Sequence, residues 1–368
     1  MLADALDDVL ARLDRSLPAI GAARGAGLLP HVTEGGRWEL LSPLACEREA
    51  LTGLPWTGGF VAGQLWLAAA LTGRDDFAAE AAAVTELLAP RAAQPTTHDL
   101  GFLFWPSAVL GYRATGEERY RALGLRAAES LVERLLPAGV IQLIGTLDDP
   151  ELRGRTIADT FPNLLLLWWA EREGAAEAGA AARAHLAASV LAYVRPDGST
   201  FHAVRFTDDG RVLERGTING FSADSTWARG QAWTMHGLAS AWRATRDPEL
   251  RATADRTATN FVERLPPDGI PPWDFDAPPG GPRDASSAAI AASALLELGR
   301  DEEAHRLLVA LAGECVNRGP DDGLLLHCCY RYSVGKAVDS ATSWGDFFLL
   351  DALARAVAPE RRLDPLAG

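Results

Sequence analysis

Apolar residues recur at helical spacing along almost the whole chain, and the helices they predict come in pairs. Gly59 to Leu71 is followed by Asp76 to Leu88, Leu100 to Thr115 by Arg119 to Leu135, and Asn163 to Gly174 by Glu177 to Val194. Ser225 to Thr245 then precedes Glu249 to Leu265, and Ser286 to Leu298 precedes Glu302 to Val316. Trp344 to Val357 closes the set, with the N-terminal helix Leu2 to Leu17 as its expected partner. The first helix of each pair is rich in Trp, Phe, Ala and other small residues. The second carries the Arg and Glu of a solvent-facing helix, as in Glu117-Glu118-Arg119-Tyr120-Arg121 and Asp301-Glu302-Glu303-Ala304-His305-Arg306. Helical hairpins repeating every roughly 40–65 residues signal a repeat architecture. Six of them predict an all-α (α/α)6 barrel, a toroid of buried helices inside solvent-facing ones. An open solenoid is the alternative, and the pairing of the chain ends favours closure. No Pro/Gly linker divides residues 1–368, which are expected to form a single domain.

Two segments break the helical rhythm. Ser199 to Phe206, the turn Asp208-Asp209-Gly210 and Val212 to Gly216 read as a small β-hairpin insertion. Pro266 to Pro282, with seven prolines and three glycines, reads as an irregular loop. Both lie between helices and are expected to wall a cleft at one end of the barrel, where binding residues collect.

A formal charge of −14 argues against a nucleic-acid surface or an anionic membrane as partner, and requires a locally positive site for any anionic ligand. The acidic N-terminus lacks the basic and apolar regions of a signal peptide, and no apolar run approaches the ~20 residues of a membrane span, so a cytoplasmic protein is expected. Cys46, Cys315, Cys328 and Cys329 show neither metal spacing nor a disulfide framework, and the adjacent pair reads as packing residues. His-Glu-x-x-His, phosphate-loop and Gly-x-Ser-x-Gly motifs are absent, and Lys336 is the single lysine. Zinc, nucleotide, serine-triad and Schiff-base chemistries are therefore poorly supported, and no cofactor is expected.

The richest stretch runs from Asn219 to Trp233, Asn-Gly-Phe-Ser-Ala-Asp-Ser-Thr-Trp-Ala-Arg-Gly-Gln-Ala-Trp. Arg229 and Trp233 are spaced i, i+4 and share a helix face. A guanidinium forks onto a carboxylate and an indole stacks on a sugar ring; an Arg packed over a Trp at the surface is the plainer reading. Asp99, Asp159 and Asp224 each precede an apolar helix. Each is either an N-cap or a carboxylate presented to a ligand at the toroid mouth, where two of them would divide into an ionised member and a protonated acid. Trp56, in a glycine-flanked turn, is expected to face ligand, whereas Trp168, Trp169, Trp227 and Trp242 are expected in the core. His185 and His305 are expected at the surface of outer helices, leaving His98 and His202 as the site candidates.

At these residues the chain resembles the unsaturated glucuronyl hydrolases, glycoside hydrolase family 88. The resemblance is carried by Trp56 to Trp66, His98-Asp99-Leu100-Gly101-Phe102, Asp159 to Asn163, Ser225 to Trp233, Arg283 to Ala289 and Trp344-Gly345-Asp346, in the family's order. It implies an (α/α)6 barrel that removes the Δ4,5-unsaturated uronic acid left by polysaccharide lyases at the non-reducing end of an oligosaccharide. Water adds across C4=C5, and the resulting hemiketal rearranges to expel the remaining saccharide, a route distinct from the usual oxocarbenium chemistry. The resemblance makes Asp159 the general acid/base and Asp99 the second essential aspartate. Arg229 and Trp233 would line the pocket as a substrate clamp, Trp56 would stack, and His98 and His202 would bind substrate. Tyr330 matches a pocket tyrosine, with Tyr332 an equal candidate. The chain departs from the family at Asn219, where a glutamine that helps hold water is usual, and at Thr160-Phe161-Pro162. Both departures bear on substrate preference. The implied partner is an unsaturated uronic-acid disaccharide, and the protein is expected as a monomer or weak oligomer. A pectin-directed unsaturated rhamnogalacturonyl hydrolase is the nearest alternative. A toroidal epimerase using His98 and His202, or a non-catalytic carbohydrate-binding toroid, would belong to other classes.

Overall fold

The computed structural model describes residues 1–44 and 55–367; Cys46 lies outside them. Its helices are α1 (Leu2–Gly25), α2 (Gly58–Thr72), α3 (Asp75–Leu88), α4 (Leu100–Phe104), α5 (Leu110–Thr115), α6 (Glu118–Val132) and α7 (Thr160–Arg172). They continue with α8 (Ala176–Tyr193), α9 (Ala228–Thr245), α10 (Pro248–Glu263), α11 (Ala285–Glu297), α12 (Asp301–Glu314) and α13 (Ser343–Val357). Each of α2, α4, α7, α9 and α11 packs on the next, α11 packs on α13, and α13 returns to α2, so the inner ring is closed. Outside it, α3, α6, α8, α10, α12 and α1 each cover one inner helix, and α1 lies on α13 as the chain-end pairing requires. This is an (α/α)6 barrel, not an open solenoid.

The inner helices are apolar or small-sided all round, which is what burial on every face demands. Thr160 to Ala170 of α7 and Ala285 to Leu295 of α11 are buried without interruption. Close approach sets some positions: a Cβ on Gly59 would lie 2.1 Å from the Phe102 carbonyl oxygen, so α2 meets α4 backbone to side. The helix expected as Leu100 to Thr115 is interrupted by a π turn over Trp105–Val109. Pro106 has no N–H to complete an α-helical ladder there.

Connections from inner to outer helices are short, whereas those leading into the inner helices are long and hold the strands of the described residues. β1 (Leu29–Glu34) pairs with β2 (Arg37–Leu41), and β6 (Cys328–Arg331) with β7 (Lys336–Ser340), both antiparallel and neither foreseen. The expected hairpin is present as β4 (Ala203–Phe206) and β5 (Val212–Gly216), with β3 (Arg155–Ile157) as a third strand on β4. One mouth of the toroid is therefore built from loops and hairpins that deliver the inner-helix N-termini. Three further expectations need correction or refinement. His185 is buried, not at the surface, because its Nδ1 accepts the Ile141 N–H at 3.1 Å beneath the connection covering α8. Trp242 is only half-buried, sandwiched by Arg246 and Arg251. Cys315, Cys328 and Cys329 are free and fully buried. Among the described residues no helix is long and apolar enough to cross a membrane.

At the opposite end, Glu297 of α11 binds Arg243 of α9 at 3.0 Å and Arg355 of α13 and Arg362 of the C-terminal segment at 2.8 Å each. Burial opposes ionisation of Glu297, but the three guanidiniums outweigh it and bring the carboxyl down to about 2. A carboxyl depressed on folding contributes stability above its unfolded pKa, and that contribution is lost as pH falls towards 2. Glu297→Gln removes the anion shared by three partly buried guanidiniums and is expected to lower stability at pH 7 by about 3 kcal/mol. Urea denaturation checks this, and the deficit should shrink as the pH is lowered.

Candidate active site

Asp99 and Asp159 occupy the N-cap positions of α4 and α7, yet neither side chain makes a cap hydrogen bond to its own helix. Asp99 is instead approached from the side. Thr97 Oγ1 donates to its Oδ2 at 2.8 Å, and His98 Nε2 lies 3.3 Å from its Oδ1. His98 Nδ1 meets Thr160 Oγ1 at 2.7 Å, so the first residue of α7 orients the imidazole that faces Asp99. Burial holds His98 well below the usual imidazole range, and Arg134 acts in the same direction, so the ring is neutral.

Asp159 is 9% exposed, and its Oδ2 has no hydrogen-bond partner. Burial pushes its carboxyl up to about 6, against the pull of the Arg229 guanidinium. His202 stands 4.0 Å away, measured from Nε2 to Asp159 Oδ2. The backbone N–H groups of Ile218 and Asn219 donate to His202 Nδ1 at 3.2 and 3.4 Å, and Thr217 Oγ1 lies 2.8 Å from it. A ring nitrogen receiving backbone donors carries no proton, so the single proton of the neutral imidazole sits on Nε2, towards Asp159. Burial brings His202 down to about 3, with Arg229 adding to the effect. Trp227 lies against the ring at 4.3 Å. His202 Nε2 and Asn219 Oδ1, like Asp159 Oδ2, are buried and unpartnered. Polar atoms are left so in a folded protein where a ligand or water completes them.

An aromatic wall borders the aspartates. Trp56, half-buried, stacks on Trp344 at 4.9 Å and meets Phe102 at 5.5 Å. Tyr330 of β6 is 7% exposed and lies 5.3 Å from Trp344, whereas Tyr332 is turned outward against Trp273. Of the two tyrosines, Tyr330 belongs to this wall. His31 of β1, not foreseen, is wedged among Trp56, Tyr330 and Trp344, with Nδ1 3.1 Å from Thr57 Oγ1. No motif flagged it, because it comes from a strand that the helical pattern does not reveal. Trp233 is completely buried 4.9 Å from Phe102, so it forms the floor beneath the wall and not a stacking face. Asp224 is exposed in the loop before α9, whose N-cap is Trp227.

Arg229, expected as a substrate clamp, is held here by groups of the protein itself. Its guanidinium is 2% exposed and binds Asp284 Oδ2 at 2.8 Å, the Cys329 carbonyl at 2.5 Å and the Tyr330 carbonyl at 2.8 Å. Trp227 and Trp344 cover it at 4.5 and 5.3 Å. Tyr330, expected to touch substrate, is thus held in place by this arginine through its backbone carbonyl. Asp284 in turn accepts the Ser286 N–H at the start of α11. Thr160, Phe161 and Pro162 are all fully buried; Phe161 packs against His185 and Tyr193 in the core, whereas Thr160 touches the site through His98. The epimerase alternative loses its acid–base pair, because both His98 nitrogens are engaged by protein and both rings are neutral. Among the described residues no cluster of three or more His, Cys, Asp or Glu could hold a metal.

No family model matches the chain. It is 35% identical to the unsaturated glucuronyl hydrolase of Bacillus sp. (strain GL1), over 96% of each chain. It is 34% identical to the unsaturated chondroitin disaccharide hydrolase of Streptococcus pyogenes serotype M1, over 82% of this chain and 80% of that one. The crystal structure of the glycosaminoglycan-degrading unsaturated glucuronyl hydrolase from Bacillus sp. GL1 superposes with a TM-score of 0.88 at 32% identity, covering 98% of this chain and 97% of that one. Fold and site thus define a glycoside hydrolase of the (α/α)6 class. Within it, the chain belongs to the unsaturated glucuronyl hydrolase family.

Because Arg229 is spent on Asp284, Arg229→Ala leaves a buried carboxylate unpaired and is expected to cost about 3–5 kcal/mol, read by urea denaturation. Removing the cation also relieves its pull on Asp159. The Asp159 carboxyl, followed by NMR titration, should therefore titrate higher in the variant than in the parent. A rise in KM alone, with stability and titration unchanged, would return Arg229 to the role of substrate clamp.

Proposed function

We propose that this protein removes the Δ4,5-unsaturated uronic acid from the non-reducing end of lyase-derived disaccharides by hydrating the C4=C5 bond. The observation that carries this reading is the trio of unpartnered buried atoms, Asp159 Oδ2, His202 Nε2 and Asn219 Oδ1, beside a carboxyl raised to about 6. A carboxyl with that pKa keeps its proton long enough to act as an acid near neutrality. Asp159 delivers the proton to C4; water adds at C5 and returns a proton to the Asp159 carboxylate, leaving the residue as it began. The C5 hemiketal opens, the sugar's C1 becomes a hemiacetal, and its collapse releases the remaining saccharide. The His202 Nε2–H and the Asn219 carbonyl oxygen are suited to hold the water, as donor and acceptor respectively. Asp99, oriented by Thr97 and His98, takes the sugar hydroxyls. Trp56 stacks on the ring, and Tyr330 and the floor at Trp233 bound the pocket.

A chondroitin- or hyaluronan-type disaccharide is the favoured substrate, since one relative is named for chondroitin disaccharide and the other for glucuronyl release. The reading takes the enzyme as cytoplasmic, a monomer or weak oligomer, and working without metal or nucleotide. The test follows the ultraviolet band of the conjugated double bond with disaccharides from chondroitin, hyaluronan, heparin and pectin. The band should be lost with the first two and preserved in Asp159→Asn. Pectin fragments consumed in preference would favour the rhamnogalacturonyl alternative. Because the protonated form of Asp159 is the active one, kcat/KM should fall about tenfold per pH unit above 6. The neutral histidines add no second limb between pH 5 and 8. A flat profile across that range would remove Asp159 as the acid.

A further inference from the structure

Pro30 and His31 are consecutive on β1 and therefore point to opposite faces of the strand. His31 enters the aromatic wall of the active site, whereas Pro30 lines a separate groove of about 480 Å³ between α1 and the β1–β2 hairpin. A groove of that size accommodates a small ligand. Its walls are fixed by bonds between segments far apart in the sequence. Asp322 Oδ2 accepts the Trp38 N–H at 3.0 Å, and its Oδ1 lies 3.3 Å from Arg37 Nη1. From α1, Arg12 donates through Nε to the Gly323 carbonyl at 2.6 Å and through Nη1 to the Gly319 carbonyl at 2.9 Å.

Three guanidiniums, those of Arg12, Arg15 and Arg37, line this groove against the single carboxylate of Asp322. Arg12 spends its bonds on carbonyls, and among the described residues no carboxylate pairs with Arg15. Burial and then the charge of Arg15 disfavour the Arg12 cation, with Asp346, Asp322 and Asp321 acting the other way. On a chain of net charge −14 this is a local excess of positive charge. The half-buried indole of Trp38 stands beside it.

Inward, the groove shares Ser16, Ile20, Pro30 and Trp38 with a crevice of about 20 Å³, room for one water or one hydroxyl. Ser343 and Asp346 of α13 line that crevice. Ser343 is 1% exposed, and its Oγ has no hydrogen-bond partner. Asp346 Oδ1 accepts the Leu325 N–H at 2.8 Å, and burial pushes the carboxyl up to about 7. A cationic rim, an indole and a buried hydroxyl awaiting a partner are together the complement of a sugar that carries an acid group. A guanidinium forks onto the acid, the indole takes the ring face, and the inner hydroxyl completes a hydrogen bond.

We propose that this groove is a second binding site, for acidic saccharides, set back to back with the active site across β1. The acid group lies against Arg12, Arg15 and Arg37, the ring rests on Trp38, and a sugar hydroxyl or a bridging water reaches Ser343 Oγ. The ligand class is read from the groove's own residues and stands apart from the hydrolase reading.

The test titrates the protein, its tryptophan indoles isotope-labelled for NMR, with a saturated, unsulfated chondroitin tetrasaccharide that has no C4=C5 bond to hydrate. The Trp38 signal is assigned by its absence from Trp38→Phe. It should shift saturably, and equally in Asp159→Asn, which frees the result from the assignment of the acid. Neutral chitotetraose should leave it in place. Arg15→Ala combined with Arg37→Ala, both exposed positions, should keep the native melting temperature and weaken the Trp38 titration roughly tenfold, the scale of two exposed charge contacts. A Trp38 signal that stays put while other indoles move confines the saccharide to the active site and overturns the proposal. Undiminished affinity in the double variant does the same. An equal response to inorganic sulfate, or a stronger one to adenosine monophosphate, overturns the assignment to acidic saccharides.

Discussion

Arg229 and Asp284 place opposite charges side by side in a region nearly closed to water, and the mouth of the barrel is assembled around that pair. Charges so placed must find partners for every donor and acceptor, or the cost of leaving water is not recovered. Asp284 meets this by capping α11, and Arg229 by gripping the carbonyls of Cys329 and Tyr330. Helices α9 and α11 and strand β6 are thereby held at one point, and Tyr330 is carried to the aromatic wall. The arginine also opposes the effect of burial on Asp159. One interaction thus serves both the shape of the site and its proton affinity.

The site keeps its polar groups in unequal states by burial, not by a ladder of charges. The histidines are neutral because an imidazolium is disfavoured where water is excluded, and Asp159 is raised for the same reason. The same exclusion therefore prepares an acid and silences two bases. The locally positive site demanded by an anionic ligand on a protein of net charge −14 is met only in part by Arg229, whose charge reaches the pocket while its hydrogen bonds do not.

The barrel was legible because its signal is periodic: buried inner helices and charged outer ones write different patterns, and six repetitions reinforce each other. The short strands were not, because β1, β6 and β7 owe their pairing to the mouth they border more than to any alternation of their own residues. Asp99, Asp159 and His202 could be picked out from motifs, but what surrounds them could not. His31 arrives from a strand without a motif. Asp284 caps α11, and its partner Arg229 comes from another hairpin. Spacing placed Arg229 and Trp233 on one helix face correctly; which neighbours occupy that face is a property of the closed ring. That ring buries Trp233 and surrounds Arg229 with protein partners.

The inner ring is closed where α13 returns to α2, and α1, the first helix, is laid over α13, the last. During synthesis α1 emerges with its apolar stripe, including Leu2, Leu6, Val9 and Leu13, long before its partner exists. The five hairpins in between can form from local contacts, whereas this last seam spans nearly the whole sequence and carries the largest loop-closure cost. Completion of the barrel is thus a late, long-range event. Until it happens, the N-terminal helix is the part of the chain most in need of protection from association with other molecules.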